Sequence, residues 1–157
     1  MKPIKMILCA LVASSTVFVS CKKNNEELSP AKDIAKSYNG LISMSVSGRP
    51  VGDTSVVTVT LVATSNDYVT VKLPAVGEGR MALPALDVTK VQVNTTNDDK
   101  YILAETSFEQ TIDSVTFTGA LRGTVANEKL TLNYSVKPDA MPMNIDFVFT
   151  PQDASGK

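Results

Sequence analysis

The sequence contains no histidine, no tryptophan and only two cysteines, Cys9 and Cys21. Without histidine the chain lacks the commonest metal ligand and the usual general base at neutral pH. Without tryptophan it lacks the broadest stacking surface for a sugar ring. Cys9 lies within an N-terminal apolar stretch, so a mature domain would keep one thiol and no disulfide framework. Beyond that stretch no apolar run approaches the ~20 residues of a membrane-spanning helix. A basic surplus is missing as well. The chain has 15 basic residues; without Lys2 and Lys5, which precede the apolar stretch, 13 face 16 acidic ones, a net charge of −3. Nucleic-acid binding wants the opposite balance.

What is present begins with an address. Lys2 and Lys5 form a positive start, and Met6 to Val19 is an apolar run of about a dozen residues, the length of a signal-peptide core. It ends in Phe18-Val19-Ser20-Cys21, followed by Lys22, Lys23, Asn24, Asn25, Glu26 and Glu27. This resembles the lipobox of bacterial lipoproteins, in which the cysteine is diacylated and becomes the first mature residue. The resemblance implies a signal peptide over 1–20, a lipidated Cys21 and a flexible tether over 21–36, with one short helical turn at Ala31 to Lys36. An ordinary secretory signal followed by a free thiol is the alternative. The lysine-then-acid pattern resembles surface-export signals of Bacteroidetes lipoproteins, so the expected location is the outer membrane, on its periplasmic or cell-surface face.

From Tyr38 onward the hydrophobic period is two rather than 3.6. Extended segments are predicted at Tyr38 to Ser47, Ser55 to Ala63, Tyr68 to Leu73, Leu86 to Asn94, Tyr101 to Ser107, Val115 to Val125, Lys129 to Lys137 and Met143 to Thr150. Turn residues separate them: Gly48, Pro50, Gly52 and Asp53; Ser65-Asn66-Asp67; Gly77-Glu78-Gly79; Asn97-Asp98-Asp99; Asn127-Glu128; Pro138, Asp139 and Pro142. Gly119 and Gly123 suggest a bulge or sharp bend. Eight short strands without a crossover helix predict an all-β, antiparallel, up-and-down β-barrel over 37–157, with a two-layer β-sandwich as the alternative. A membrane-spanning barrel would need aromatic girdles and strands of about 9–11 residues, which this pattern does not offer.

Tyr38-Asn39-Gly40, the Val-Thr alternation of the second segment and Tyr68 to Leu73 resemble the calycin-like, lipocalin-type barrel of Bacteroidetes lipoproteins. Asn127-Glu128-Lys129-Leu130, Met141-Pro142 and Ile145-Asp146-Phe147-Val148-Phe149 fit the same family. The resemblance covers nearly the whole mature domain and implies a calycin-like β-barrel; with eight strands its interior is either filled by side chains or holds one small ligand.

The apolar parity gathers Tyr38, Met44, Phe117, Tyr134, Met143, Phe147 and Phe149 on one face, as packed core or as the wall of a pocket for an apolar molecule. The fourth segment changes parity between Leu86/Val88 and Val91/Val93. Either a bulge near Thr89-Lys90 restores the face, or Lys90 and Gln92 point inward and Lys90 pairs with Glu105 of the next segment to hold a polar head group. Asp98-Asp99 has too few oxygens for a calcium loop, and Gly77-Glu78-Gly79 lacks the helix of a phosphate loop. Glu109 and Asp113 have no shared cleft for glycoside chemistry. The expected function is therefore non-enzymatic: binding of a small apolar or amphipathic ligand, without cofactor, metal or nucleic acid, by a protein tethered to the membrane through Cys21. A module contacting another envelope protein or a glycan is the alternative. If Cys21 is the anchor, bacterial cells expressing the chain will incorporate labelled palmitate into it, and Cys21→Ser will abolish the label and release the protein from the membrane fraction.

Overall fold

In a computed structural model of the protein, residues 29–152 are described. The expected signal sequence, Cys21 and the greater part of the expected tether lie outside them. The described chain forms one short helix, α1 (Pro30–Asp33), and nine strands: β1 (Ser37–Val46), β2 (Arg49–Pro50), β3 (Ser55–Ala63), β4 (Tyr68–Leu73), β5 (Leu86–Thr95), β6 (Tyr101–Ile112), β7 (Val115–Ala126), β8 (Lys129–Pro138) and β9 (Ile145–Pro151). β1 pairs antiparallel with both β2 and β3, each strand from β3 to β9 pairs antiparallel with the next, and β1 also pairs with β9 from Gly40↔Pro151 to Val46↔Ile145. That last ladder closes eight strands into a barrel and rules out the two-layer sandwich. The ninth strand, β2, only folds back on the tip of β1, where the sequence pattern predicted nothing but a turn.

Three of the hairpins use two-residue turns in which both residues have positive φ: Ser47-Gly48, Asp113-Ser114 and Asn127-Glu128. Such turns match the right-handed twist of the strands they join. They fix the register, and so decide which side chains face inward. The β6–β7 hairpin extends β6 to Ile112, five residues beyond its expected end.

Inside, period-two alternation places Ile42, Val59, Leu61, Val71, Leu132, Phe147 and Phe149 in a continuous buried core. Outside, the strands show Asn39, Ser43, Thr58, Asp87, Asn94, Glu109, Arg122, Asn133 and Asp146. This is the reverse of a lipid-facing barrel, whose apolar band points outward. Met143, expected on the inner face, precedes β9 and is 41% exposed.

Gly119 and Gly123 do not bend β7. Both stay in unbroken register with β8, opposite Val136 and Leu132. The irregularity lies across from them on β6, where pairing shifts between Leu103 and Thr106. At Gly119 a Cβ would come 2.7 Å from the Phe108 ring, so the missing side chain makes room for that ring.

The barrel ends differ. At the lower end α1 lies against the opening with Ala31 and Ile34 fully buried. The Ala31 amide donates to the Asn66 carbonyl at 3.0 Å, and the Leu61 amide donates to the Lys36 carbonyl at 3.0 Å. The tether expected to run to residue 36 is therefore corrected over residues 29–36, which pack as a plug. At the upper end gather the β1–β3 connection, the β4–β5 loop, the β6–β7 turn and the β8–β9 loop. The plug is a discrete stabilising element. Ile34→Ala should lower unfolding free energy by about 2–4 kcal/mol, read from the urea midpoint, whereas Lys32→Ala on the exposed side of α1 should shift it little.

Candidate functional site

The upper end holds a cavity of about 710 Å³. Its inner wall comes from strands: Ile42 and Met44 on β1, Val57 on β3 and Phe147 on β9. These share the inward parity, and Met44 sits opposite Phe147 in the β1–β9 ladder. Two connections complete the enclosure. The β1–β3 connection contributes Val51, Gly52 and Asp53, and is held down by the Val51 amide donating to the Met44 carbonyl at 2.9 Å. The β4–β5 loop contributes Val76, Gly77, Glu78 and Met81.

That second loop is shaped by its sequence. Pro74 follows directly on the end of β4. Val76 and Leu83 then exchange both backbone hydrogen bonds, at 3.1 and 2.8 Å, and pinch the loop at its base. Gly77 has φ +82°, and a Cβ there would lie 2.5 Å from the Met81 carbonyl oxygen, so only glycine suits the position. A single 3-10 turn, Gly79–Met81, turns Met81 back onto the core. The result is a pocket of mixed character, with an apolar inner wall, flexible thioethers on two sides, Met44 and Met81, and polar groups at its mouth, among them the exposed carboxylates of Asp53 and Glu78.

Behind Phe147 lies Tyr134 of β8. Their rings stack with centroids 4.7 Å apart and an interplanar angle of 13°. Tyr134 is 5% exposed, and its hydroxyl has no hydrogen-bond partner among the described residues. Burial raises its phenol pKa above the ordinary range.

The sequence-predicted site residues divide into four groups. Met44 and Phe147 line the upper cavity, and Tyr134 stacks against it. Phe117, 6% exposed, is core on β7. Tyr38 belongs to the opposite end: its hydroxyl donates to the Ile34 carbonyl at 2.9 Å and ties β1 to the plug. Lys90, Gln92 and Glu105 are corrected. Lys90 adopts φ +59° at a bulge that shifts the β4–β5 register, turning Thr89, Lys90 and Gln92 to solvent while Val88 and Val91 both stay inside. The bulge on β6 does the same for Glu105, which lies outside between inward Leu103 and half-buried Thr106. An inward Lys90–Glu105 pair therefore does not exist. Burying those charges would have cost more than the extra residue in each strand.

Elsewhere, Glu109 faces outward on β6 and Asp113 is in the turn after it. Asp98 and Asp99 lie in the lower β5–β6 turn. Among the described residues no three acids or cysteines converge closely enough to hold a metal ion. The pocket residues that parity reasoning missed are Val51, Asp53, Val76, Glu78 and Met81. All come from loops, where neither period marks a face.

The sequence model of the calycin-like beta-barrel domain matches residues 34–152, which spans every strand. Among solved structures the chain is similar to a protein of Bacteroides fragilis provisionally named an outer membrane protein, with 26% identity and a TM-score of 0.64 over 80% of this chain. The chain spans about half of that protein, 53% of its length. No functionally curated protein matches the sequence.

At the lower end, burial, then the Glu128 carboxylate and Tyr101, push the Tyr38 phenol up to about 12 from 10.0. A raised folded pKa means that the stability carried by protonated Tyr38 is complete below pH 10 and is lost as pH rises through about 12. Buried Tyr134 works in the same direction. Tyr38→Phe should cost about 1 kcal/mol at neutral pH through the lost hydrogen bond. It should also flatten, without removing, the fall in stability on the alkaline side, as followed by urea unfolding at pH values up to 12.

Proposed function

Because the chain belongs to the calycin-like β-barrel domain family, we propose that it is a lipid-anchored protein of the bacterial outer membrane that binds a small apolar or amphipathic molecule in its upper cavity, without catalysing its conversion. The observation that carries this reading is the asymmetry of the barrel. One end is covered by α1, while the other keeps a cavity of about 710 Å³ with an apolar inner wall and a polar mouth, within the usual size of a small-molecule site. The outer-membrane location is supported by the similar Bacteroides fragilis protein and by the lipobox-like Phe18-Val19-Ser20-Cys21. The non-enzymatic reading is supported by what surrounds the cavity. Its charged side chains are two carboxylates in separate loops, Asp53 and Glu78, and its lining holds no histidine, cysteine or lysine beside them.

The test is a cavity-filling substitution. The mature chain, produced without acylation, should bind the apolar dye N-phenyl-1-naphthylamine with a rise in fluorescence. Met44→Trp should abolish that rise by occupying the cavity, while circular dichroism stays native. Val57→Phe should weaken it by the same route. A dye signal unchanged in both variants, or absent from the unmodified domain, would overturn the reading.

A further inference from the structure

The rest of the molecule offers little for a charged ligand to use. Its ion pairs, Lys36–Glu128 and Lys72–Asp87, are solvent-exposed and already satisfied. On the outer face Glu105, Arg122, Asn133 and Asp146 line a depression of about 310 Å³, but it is shallow and its floor is the sheet itself. Beside α1, two further hollows of about 430 and 280 Å³ combine acids with Lys100 or Lys36 in their lining. The upper cavity is different, because its charged lining is of one sign. Asp53 and Glu78 stand 25 positions apart in sequence, on the two connections that close the cavity, and both line it. Neither carboxylate has an ion-pair or hydrogen-bond partner among the described residues. Arg49 and Arg80 lie nearby in the chain, yet neither contributes to the lining. No basic side chain lines the cavity at all.

Resting on the ligand-binding reading above, we propose that the cavity selects amphipathic cations: molecules with an apolar body and an amine or other positively charged head. The body would lie against Ile42, Met44, Val57 and Phe147. The head would remain at the partly solvated mouth between Asp53 and Glu78, where it keeps some of its hydration. An anionic amphiphile of the same length would bury the same apolar area and meet two like charges at the rim. Apolar burial therefore supplies affinity to either class, and the rim decides the sign.

Dodecylammonium, dodecanoate and dodecanol share one apolar chain and differ in head charge. Each is titrated, below its micellar concentration, against N-phenyl-1-naphthylamine bound to the full mature chain produced without acylation. Exposed charge pairs each contribute a few-fold in affinity, so dodecylammonium should displace the dye at roughly tenfold lower concentration than dodecanoate, with dodecanol between them. In the double variant Asp53→Asn/Glu78→Gln the three should converge, each displacement being scaled to the variant's own dye affinity. Raising the salt concentration should narrow the gap in the unmodified protein only. If the dye binds but dodecanoate competes as well as the amine, or the preference survives in the double variant, the cation proposal falls and the ligand-binding reading stands. If no dye binds, the cavity is not a ligand site and both fall together.

Discussion

The ladder between β1 and β9 is the constraint on which the rest depends. Once Gly40–Val46 pairs with Ile145–Pro151, every strand of the barrel has two neighbours, and the inward side chains share one enclosed volume. An open meander of the same strands would leave two long edges and half its apolar face in water. Closure makes that volume finite, and it has to be filled or left as a cavity. The lower and middle levels are filled by Leu61, Val93, Leu103, Leu130 and Leu132, each almost fully buried, and α1 caps them. The upper level is lined but not filled. The cavity is the part of the enclosed volume that the strand side chains do not reach.

Two bulges reconcile this closure with the sequence. In β5 the apolar positions change parity at Thr89-Lys90, and in β6 at Ala104-Glu105. Both lie on the two strands that pair least: β5 and β6 share only Val93–Thr95 with Tyr101–Leu103. Above that point a side chain takes over part of the pairing, as the Asp87 amide donates to the Gln110 side-chain oxygen at 3.0 Å. A strand that inserts one residue bends and twists more strongly. The extra residues thus let β5 and β6 splay while Val88, Val91, Leu103 and Phe108 all keep contact with the core.

This also explains what could be read from the sequence and what could not. The bounds of β3 and β4 follow from alternation between clear turn residues, and Phe147 and Phe149 follow from strict parity in β9. The parity break in β5 was visible as well, but parity alone does not say whether a strand has gained a residue or turned a charge inward. The desolvation cost of Lys90 decides it, and φ +59° is its conformational signature. In β6 the break runs from Tyr101 and Leu103 to Phe108 and Ile112, but the strand was expected to end at Ser107, so Phe108 was not set against Leu103. The bulge there opposes Arg122, between Gly119 and Gly123, from which an irregularity was expected in β7 itself. Half of the cavity wall lay outside the reach of alternation altogether. Val51, Asp53, Glu78 and Met81 come from connections whose course depends on Pro74, Gly77 and the Val76–Leu83 bridge.

The two ends of the barrel show how the same residue type takes opposite roles. Tyr38 and Tyr134 are both inward, both 5% exposed, and both have phenols pushed toward higher pKa by burial. At the sealed end the Tyr38 hydroxyl finds the Ile34 carbonyl, because α1 brings an unpaired main-chain acceptor into range. At the open end no helix arrives, and the Tyr134 hydroxyl has no partner from the described residues. A buried hydroxyl without a partner costs stability that a packed phenylalanine would not. Its neighbour Phe147 stacks on it and lines the cavity at the same time. The plug therefore does more than stabilise: it covers one end of the barrel with α1 and leaves the other as the level where Asp53 and Glu78, without partners among the described residues, stand beside an apolar inner wall.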